Sequence, residues 1–400
     1  MGVLVSRIRL RNYKSIASCD VRLGDLCVLV GVNGSGKSNF VDAFGFISDA
    51  LNSTLDIAIR NRGGISAVRR KSGGHPNNFG MSFFLNLPEN RNGFFAFEIA
   101  ALPNEGFEVR KEKLHVSGSD PLNDFGYTVE RGKLIEFPKS ATRQELRSDR
   151  LFLTSVAGLR PFDLLFDALA GIEIYDINPD DFRLPQPHGS GEVLLHSGQN
   201  LASVLRRLSD FSPETFDRIR EYLRRIVDSV ESISPKSLGP TETIQFSQYV
   251  QRMKNPWKFD ALNMSSGTLR SLGVLTALFH QAGGGNGRVP LIGIEEPEGT
   301  VHPAAAAVLM DAIIEASKTR QILLTTHSPE LLDHPRLSED QLYVVSSERN
   351  ETRVGQADQA SREAMRNRLL TAGELLRANQ LTTEKSSVKS VSQAELFRAS

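Results

Sequence analysis

The chain has 400 residues, of which 40% are hydrophobic, 24% charged and 7% aromatic, a balance that excludes a disordered, collagen-like or disulfide-stapled protein and leaves room for two or three domains. Lys plus Arg and Asp plus Glu cancel at 47 each, so any nucleic-acid contact is local rather than spread over a uniformly basic surface. Cys19 and Cys27 are too few for a zinc site or a disulfide framework, no apolar run reaches the length of a bilayer span, and no secretory leader is apparent. The expectation is a cytoplasmic protein with no membrane partner.

Residues 4–10 alternate as a strand, and after a turn at 12–15 two further apolar segments, 19–23 and 26–30, predict a strand meander. The last of these is continuously apolar, as a fully buried strand is. A glycine-rich turn at 31–36 and a helical pattern from Lys37 to Phe46 follow directly. Alternation at 81–87, 94–100, 108–116 and 127–137 predicts an antiparallel sheet. Apolar residues then recur at helical spacing over 151–170 and 200–232, with a Pro-rich link at 179–187, and neither stretch is long or regular enough for a coiled-coil arm. A helix over 264–280 opens at Ser-Ser-Gly, residues 283–287 form a loop, and two strands, 290–294 and 321–325, flank a helix over 304–317. The Ser-, Thr- and Lys-rich stretch 382–393 is expected to be disordered. This order suggests an N-terminal lobe (1–145), a helical insertion (146–235), a C-terminal lobe (236–380) and a disordered tail (381–400).

Charge is uneven along the chain. Arg60, Arg62, Arg69, Arg70 and Lys71 crowd together with no acid between Asp56 and Glu89, whereas 291–340 is rich in acids. The basic run reads either as a solvated face or as a surface for DNA or RNA phosphates.

Gly31-Val32-Asn33-Gly34-Ser35-Gly36-Lys37-Ser38 matches the phosphate-binding pattern GxxxxGK[ST] between a buried strand and a helix. Glycines let backbone N–H groups curl around phosphates at a helix N-terminus, Lys37 adds a point charge, and the Ser38 hydroxyl suits Mg²⁺. Leu291-Ile292-Gly293-Ile294-Glu295-Glu296 is an apolar strand ending in two carboxylates. Such an ending is commonplace alone, but beside a phosphate loop it places one acid near magnesium and makes Glu296 the candidate base for the attacking water. His327 stands just beyond the second apolar strand, at the end where an imidazole could reach a γ-phosphate or the water. Met264-Ser265-Ser266-Gly267-Thr268 opens a helix, either as a plain serine cap or as a second anion site.

Taken together in this order, the motifs resemble the nucleotide-binding head of the ABC ATPases, and more closely the SMC, RecF and OLD-like branch of AAA-type ATPases. GVNGSGKSNFVDAF resembles its Walker A, MSSGTLRSL its shortened signature, IGIEEPEGTVHP its Walker B with the following D-loop, and TTHSP its switch histidine. RIRLRNYKSI, RGGISAVRR, SGQNLASVL and TAGELL are also similar to segments of this group, so the resemblance runs to about Asn379. It implies an α/β fold: a P-loop NTPase head of ABC type with an N-terminal antiparallel β subdomain and a helical insertion. It further implies ATP contact by Asn33, Gly34, Gly36, Lys37 and Ser38, magnesium contact by Ser38 and Glu295, catalysis by Glu296, a switch role for His327, and action of Ser265 and Gly267 across an ATP-dependent homodimer or a higher oligomer. Two features depart from the wider pattern: Glu295 replaces the usual Asp, and no Gln occurs between Lys37 and Gln144 to serve as the Q-loop residue. The chain is too short after His327 for an OLD-type Toprim nuclease. The expected role is therefore an ATPase that regulates a separately encoded nuclease or toxin in phage defence or DNA repair, docked on the 151–232 insertion. The alternatives are a self-sufficient RecF-like repair ATPase and, against the form of the N-terminal strands, an ABC transporter subunit.

Overall fold

The computed structural model describes residues 4–72, 76–118, 124–136, 146–160, 162–250, 255–280, 291–384 and 390–399. The chain forms two compact units, one of residues 1–173, 340–362 and 381–400, the other of residues 174–339 and 363–380. The predicted loop at 283–287, Pro290 and the centre of the predicted tail lie outside the described residues. Among the described residues no helix is long and apolar enough to cross a membrane.

The first unit is built on a seven-stranded antiparallel sheet. Its strands run in the order Ile16–Arg22, Leu4–Tyr13, Asn78–Leu87, Arg91–Ala101, Phe107–Ser117, Phe125–Glu130 and Lys133–Glu136. One face carries the helix Lys37–Asn52, held by aromatic contacts: Phe44 meets Phe83 edge-on at 6.0 Å, and Phe46 meets Phe79 edge-on at 5.6 Å and stacks on Phe97 at 6.2 Å. Arg91–Ala101 is apolar on both faces because both are covered. Phe95 and Phe97 are on one side, while Phe94 and Ala96 pack against Val391, Leu396 and Phe397 on the other. Residues 390–399 are therefore packed on this sheet, where a disordered tail was expected. Ser392 caps a helical turn, Gln393–Leu396, and Arg9 donates to the carbonyls of Glu395 (2.6 Å) and Arg398 (2.8 Å).

The expected three-strand meander also needs correction. Leu26–Val30 leaves the first two strands and pairs in parallel with Leu342–Glu348, which itself pairs antiparallel with Glu351–Gln356. All five residues of Leu26–Val30 are buried, so the run needed cover on both faces, which a meander edge does not provide.

In the second unit, Leu291–Glu295 and Gln321–Thr326 lie parallel with Glu295 opposite Thr325, joined through the helix Pro303–Ala316. A smaller antiparallel sheet is formed by Gln186–Pro187, Thr241–Gln248, Val230–Leu238 and Trp257–Asp260. The helical stretch expected over 200–232 appears as Leu201–Phe211 and Pro213–Ile226 but stops there, since Val230 already opens the strand Val230–Leu238, and the Pro-rich link holds a short helix, Asp180–Arg183. Tyr222 stacks on Phe279 at 5.6 Å and donates to Glu315, fixing Pro213–Ile226 against the helices Ser266–Phe279 and Pro303–Ala316 respectively.

Candidate functional site

The phosphate loop ends at Gly36, which caps the helix Lys37–Asn52 with φ +102°. That conformation, and Thr352 Oγ1 only 2.0 Å from where a Cβ would stand, restrict the position to glycine. Gly31 is equally confined, since a Cβ there would lie 2.2 Å from the Val345 carbonyl. Lys37 is 5% exposed and its ammonium bridges the carbonyls of Gly31 (2.8 Å) and Val32 (3.3 Å), so the charge lies across the mouth of its own loop. Asn33, Gly34 and Ser38 are exposed. The Ser35 hydroxyl is buried with no hydrogen-bond partner among the described residues, an unused donor inside the loop.

The helix behind the loop is anchored by the basic run. Arg62 pairs with Asp42 and Asp49, each at 2.8 Å, and lies over the Phe46 ring. Burial would raise the Asp42 carboxyl, but Arg62 and Lys14 beside it outweigh burial and hold it below its usual range. Arg70 pairs with Glu351 at 3.3 Å, Arg60 with Asp56 at 2.9 Å, and Arg69 donates to the Pro76 carbonyl. The expected five-cation face is thus partly spent on internal partners, Arg62 most completely.

In the second unit the paired carboxylates end the strand Leu291–Glu295. Glu296 has φ +42°, unfavourable for a residue with a side chain, and is held there by its N–H donating to Thr325 and by Arg270 on its carbonyl at 2.8 Å. Arg270 also reaches the Glu295 carbonyl at 3.3 Å. The His327 Nδ1 lies 3.3 Å from the Glu296 carboxylate, so the base candidate and the candidate switch histidine meet at the ends of adjacent parallel strands. Glu298 completes the group: one of its oxygens accepts from the Thr326 hydroxyl (2.6 Å) and the His327 N–H (3.2 Å).

Ser265 caps the helix Ser266–Phe279, accepting from the Thr268 N–H at 3.1 Å, so the plain capping role is real. Gly267 is packed so closely on the turn after Glu296 that a Cβ would lie 2.4 Å from the Thr300 carbonyl. The late TAGELL segment docks behind the histidine. Thr371 and Arg377 both bond Asp333, Arg377 also reaches Glu330, and Glu330 accepts from Ser328 next to His327.

A family model described as "AAA domain, putative AbiEii toxin, Type IV TA system" matches residues 26–333, which is 308 of the 400 residues. The chain belongs to that family. Its fold is that of a P-loop ATPase head of the ABC and SMC type. A crystal structure of the Smc head bound to the C-winged helix domain of ScpA matches with a TM-score of 0.52 at 15% identity, covering 90% of this chain and 99% of that one. An Smc head with an extended coiled coil, bound to the C-terminal domain of ScpA and derived from Pyrococcus furiosus, gives 0.51 at 14% identity, covering 92% and 99%. No curated protein matches the chain.

Within this AAA head, sequence motifs located the loop, both carboxylates, the histidine and the capped helix. They did not assign work to Arg270 or Glu298, although both stand inside the quoted motifs: Arg270 is the arginine of GTLR and Glu298 the last acid of EEPE. Thr352 had no local signal at all, because its partners lie near the other end of the chain.

Proposed function

We infer that this chain binds and hydrolyses ATP as an ABC-type head, closes on it as a homodimer, and through that cycle regulates a separately encoded effector. The observation that carries the chemistry is the Glu296–His327 pair at 3.3 Å, a carboxylate suited to polarise water beside an imidazole able to hold the water or the γ-phosphate. Asn33, Gly34, Gly36, Lys37 and Ser38 bind the phosphates. Ser38 and Glu295 offer the hard oxygen donors that magnesium prefers, and the ion would supply charge neutralisation on the phosphates. Ser265 and Gly267 act on the nucleotide of a second copy.

The tests separate these steps. Lys37→Ala should abolish ATP binding in a folded protein. Glu296→Gln should bind ATP, lose on the order of 10²- to 10⁴-fold in turnover, and sediment as an ATP-dependent dimer. Because any side chain at Gly267 would meet the Thr300 carbonyl of its own chain, the contact with a second copy is tested at Ser265: Ser265→Ala should bind ATP and turn it over more slowly. A monomeric Glu296→Gln protein at saturating ATP would refute the dimer.

The regulatory reading is supported by the family description, which names a toxin of a type IV toxin–antitoxin system, and by the Smc heads, whose titles record a bound ScpA domain. Each of those belongs to another protein. Co-purification from the native host should bring down an effector docked on the 151–232 region. Purification alone, with DNA-stimulated ATPase activity that weakens steeply with salt, would favour a direct repair role. The ion pairs of Arg60, Arg62 and Arg70 weigh against that alternative.

A further inference from the structure

We propose that Thr352 is a positioning residue of the phosphate loop, holding the Ser35–Gly36 peptide through a one-way chain of hydrogen bonds that starts at Asn39 and passes through Ser15. The inference rests on the nucleotide-binding reading above and extends it to residues outside the loop motif.

Thr352 is delivered by a tight hairpin. Leu342–Glu348 and Glu351–Gln356 are joined through Arg349 (φ +51°) and Asn350 (φ +62°), both in the left-handed region that a two-residue hairpin turn uses, and Thr352 falls opposite Ser347. It is 2% exposed. Its hydroxyl donates to the Ser35 carbonyl at 2.9 Å and lies 2.7 Å from the Ser15 hydroxyl, while its N–H donates to the Ser15 carbonyl at 3.0 Å. Asn39, two residues beyond Lys37, donates its amide to the Ser15 hydroxyl at 2.6 Å.

The direction of the chain follows from proton counting. A hydroxyl has one proton to give. That of Thr352 is committed to Ser35, so Ser15 must donate to Thr352, and Ser15 in turn accepts from Asn39. The order Asn39, Ser15, Thr352, Ser35 therefore has no alternative among these four groups, and it ties the first turn of the helix to the loop that precedes it. The functional consequence lies in the peptide plane. With the Ser35 C=O drawn towards Thr352, the N–H of Gly36 must point the opposite way, and backbone N–H groups of such a loop are its phosphate ligands. Gly36 and Thr352 are also matched in space, since the threonine occupies the position any side chain at 36 would need. The Ser15 of the NYKSI segment, which the nucleotide chemistry left without a role, is thereby used.

A purely structural Thr352 would change stability and leave nucleotide affinity alone, so the test reads affinity. MgATP analogue binding and steady-state ATPase are measured on the full chain for wild type, Lys37→Ala, Thr352→Val, Thr352→Ser and Ser15→Ala, with a melting curve for each. Thr352→Val, which keeps the shape and removes the hydroxyl, should bind about tenfold more weakly, the worth of roughly one hydrogen bond. Its KM should rise in step while kcat at saturation changes less than about twofold, and Thr352→Ser should recover wild-type affinity within about twofold. Ser15→Ala should fall between. Wild-type affinity in folded Thr352→Val, or a serine variant as weak as the valine one, overturns the proposal. Should Thr352→Val not fold, wild-type affinity in Ser15→Ala overturns it equally. If the wild type itself binds no nucleotide, the ATPase reading fails and takes this inference with it. If the wild type binds and Lys37→Ala does not, a silent Thr352→Val removes only the brace.

Discussion

The Glu112 carboxylate is wholly buried in the seven-stranded sheet, where it accepts from the Tyr127 hydroxyl at 2.6 Å and from the N–H groups of Phe152 (2.6 Å) and Leu153 (2.9 Å). It closes the start of the short helix Leu153–Val156 as a distant cap. Burial pushes its pKa up to about 7, and the three donors pull back only part of that rise. The folded chain therefore holds a proton that the unfolded chain has released between roughly pH 4.5 and 7, so this group's contribution to stability is full below that window and lost as pH climbs through it. The size is on the order of 3 kcal/mol. Urea midpoints at pH 5 and pH 8 should diverge in the wild type, and Glu112→Gln should lose this part of the difference while being less stable at pH 5, where its amide would face backbone donors. Arg270 offers a second residue-level test. It holds the carbonyls of Glu295 and Glu296 and lies against Gly299, so Arg270→Ala should keep ATP affinity and lose roughly 10- to 100-fold in kcat through a displaced Glu296.

Among the elements, the strand Arg91–Ala101 and the C-terminal turn explain each other. The run Phe-Phe-Ala-Phe-Glu-Ile-Ala is too apolar for a strand with one wet face, and composition alone could not say what lay over the second. The covering segment escaped notice because Ser, Thr and Lys surround the few residues that do the packing, Val391, Leu396 and Phe397. Glu98 shows how specific the cover is: buried on that face, it accepts from Asn78 at 2.5 Å and from Gln393 at 2.8 Å. Leu396→Ala should destabilise the protein by about 2–5 kcal/mol, read as a lowered urea midpoint. The phosphate loop was legible because its residues are contiguous and its glycines answer to local backbone needs. The helix pair Leu201–Phe211 and Pro213–Ile226 was legible because one face of each is apolar at 3.6-residue spacing. The placement of Leu26–Val30 was not, since a buried strand of five apolar residues says nothing about which partner, 312 or more residues later, will pair with it.

At the scale of the molecule, the chain crosses between the two units after Glu173, Glu339, Arg362 and Gln380, so neither unit is a continuous piece. Residues 340–362 bring Val345 and Thr352 to the phosphate loop, and 363–380 carry the helix Ala372–Arg377 to the segment that follows His327. One stretch of about forty residues thus supplies packing partners to both motifs. A chain ending at residue 339 should keep an intact Walker motif and still fail to bind an ATP analogue, because the loop would lack its packing partners.

The parallel pairing of Leu26–Val30 with Leu342–Glu348 also sets a timetable for biosynthesis. The strand and the threonine that shape the loop emerge more than three hundred residues after it. At about 5–20 residues per second, that leaves roughly a quarter of a minute to a minute in which a strand of bare Leu, Val and Cys has no neighbour. During that interval the strand is bare, and the phosphate loop gains the partners that shape it only once the hairpin of residues 342–356 has followed.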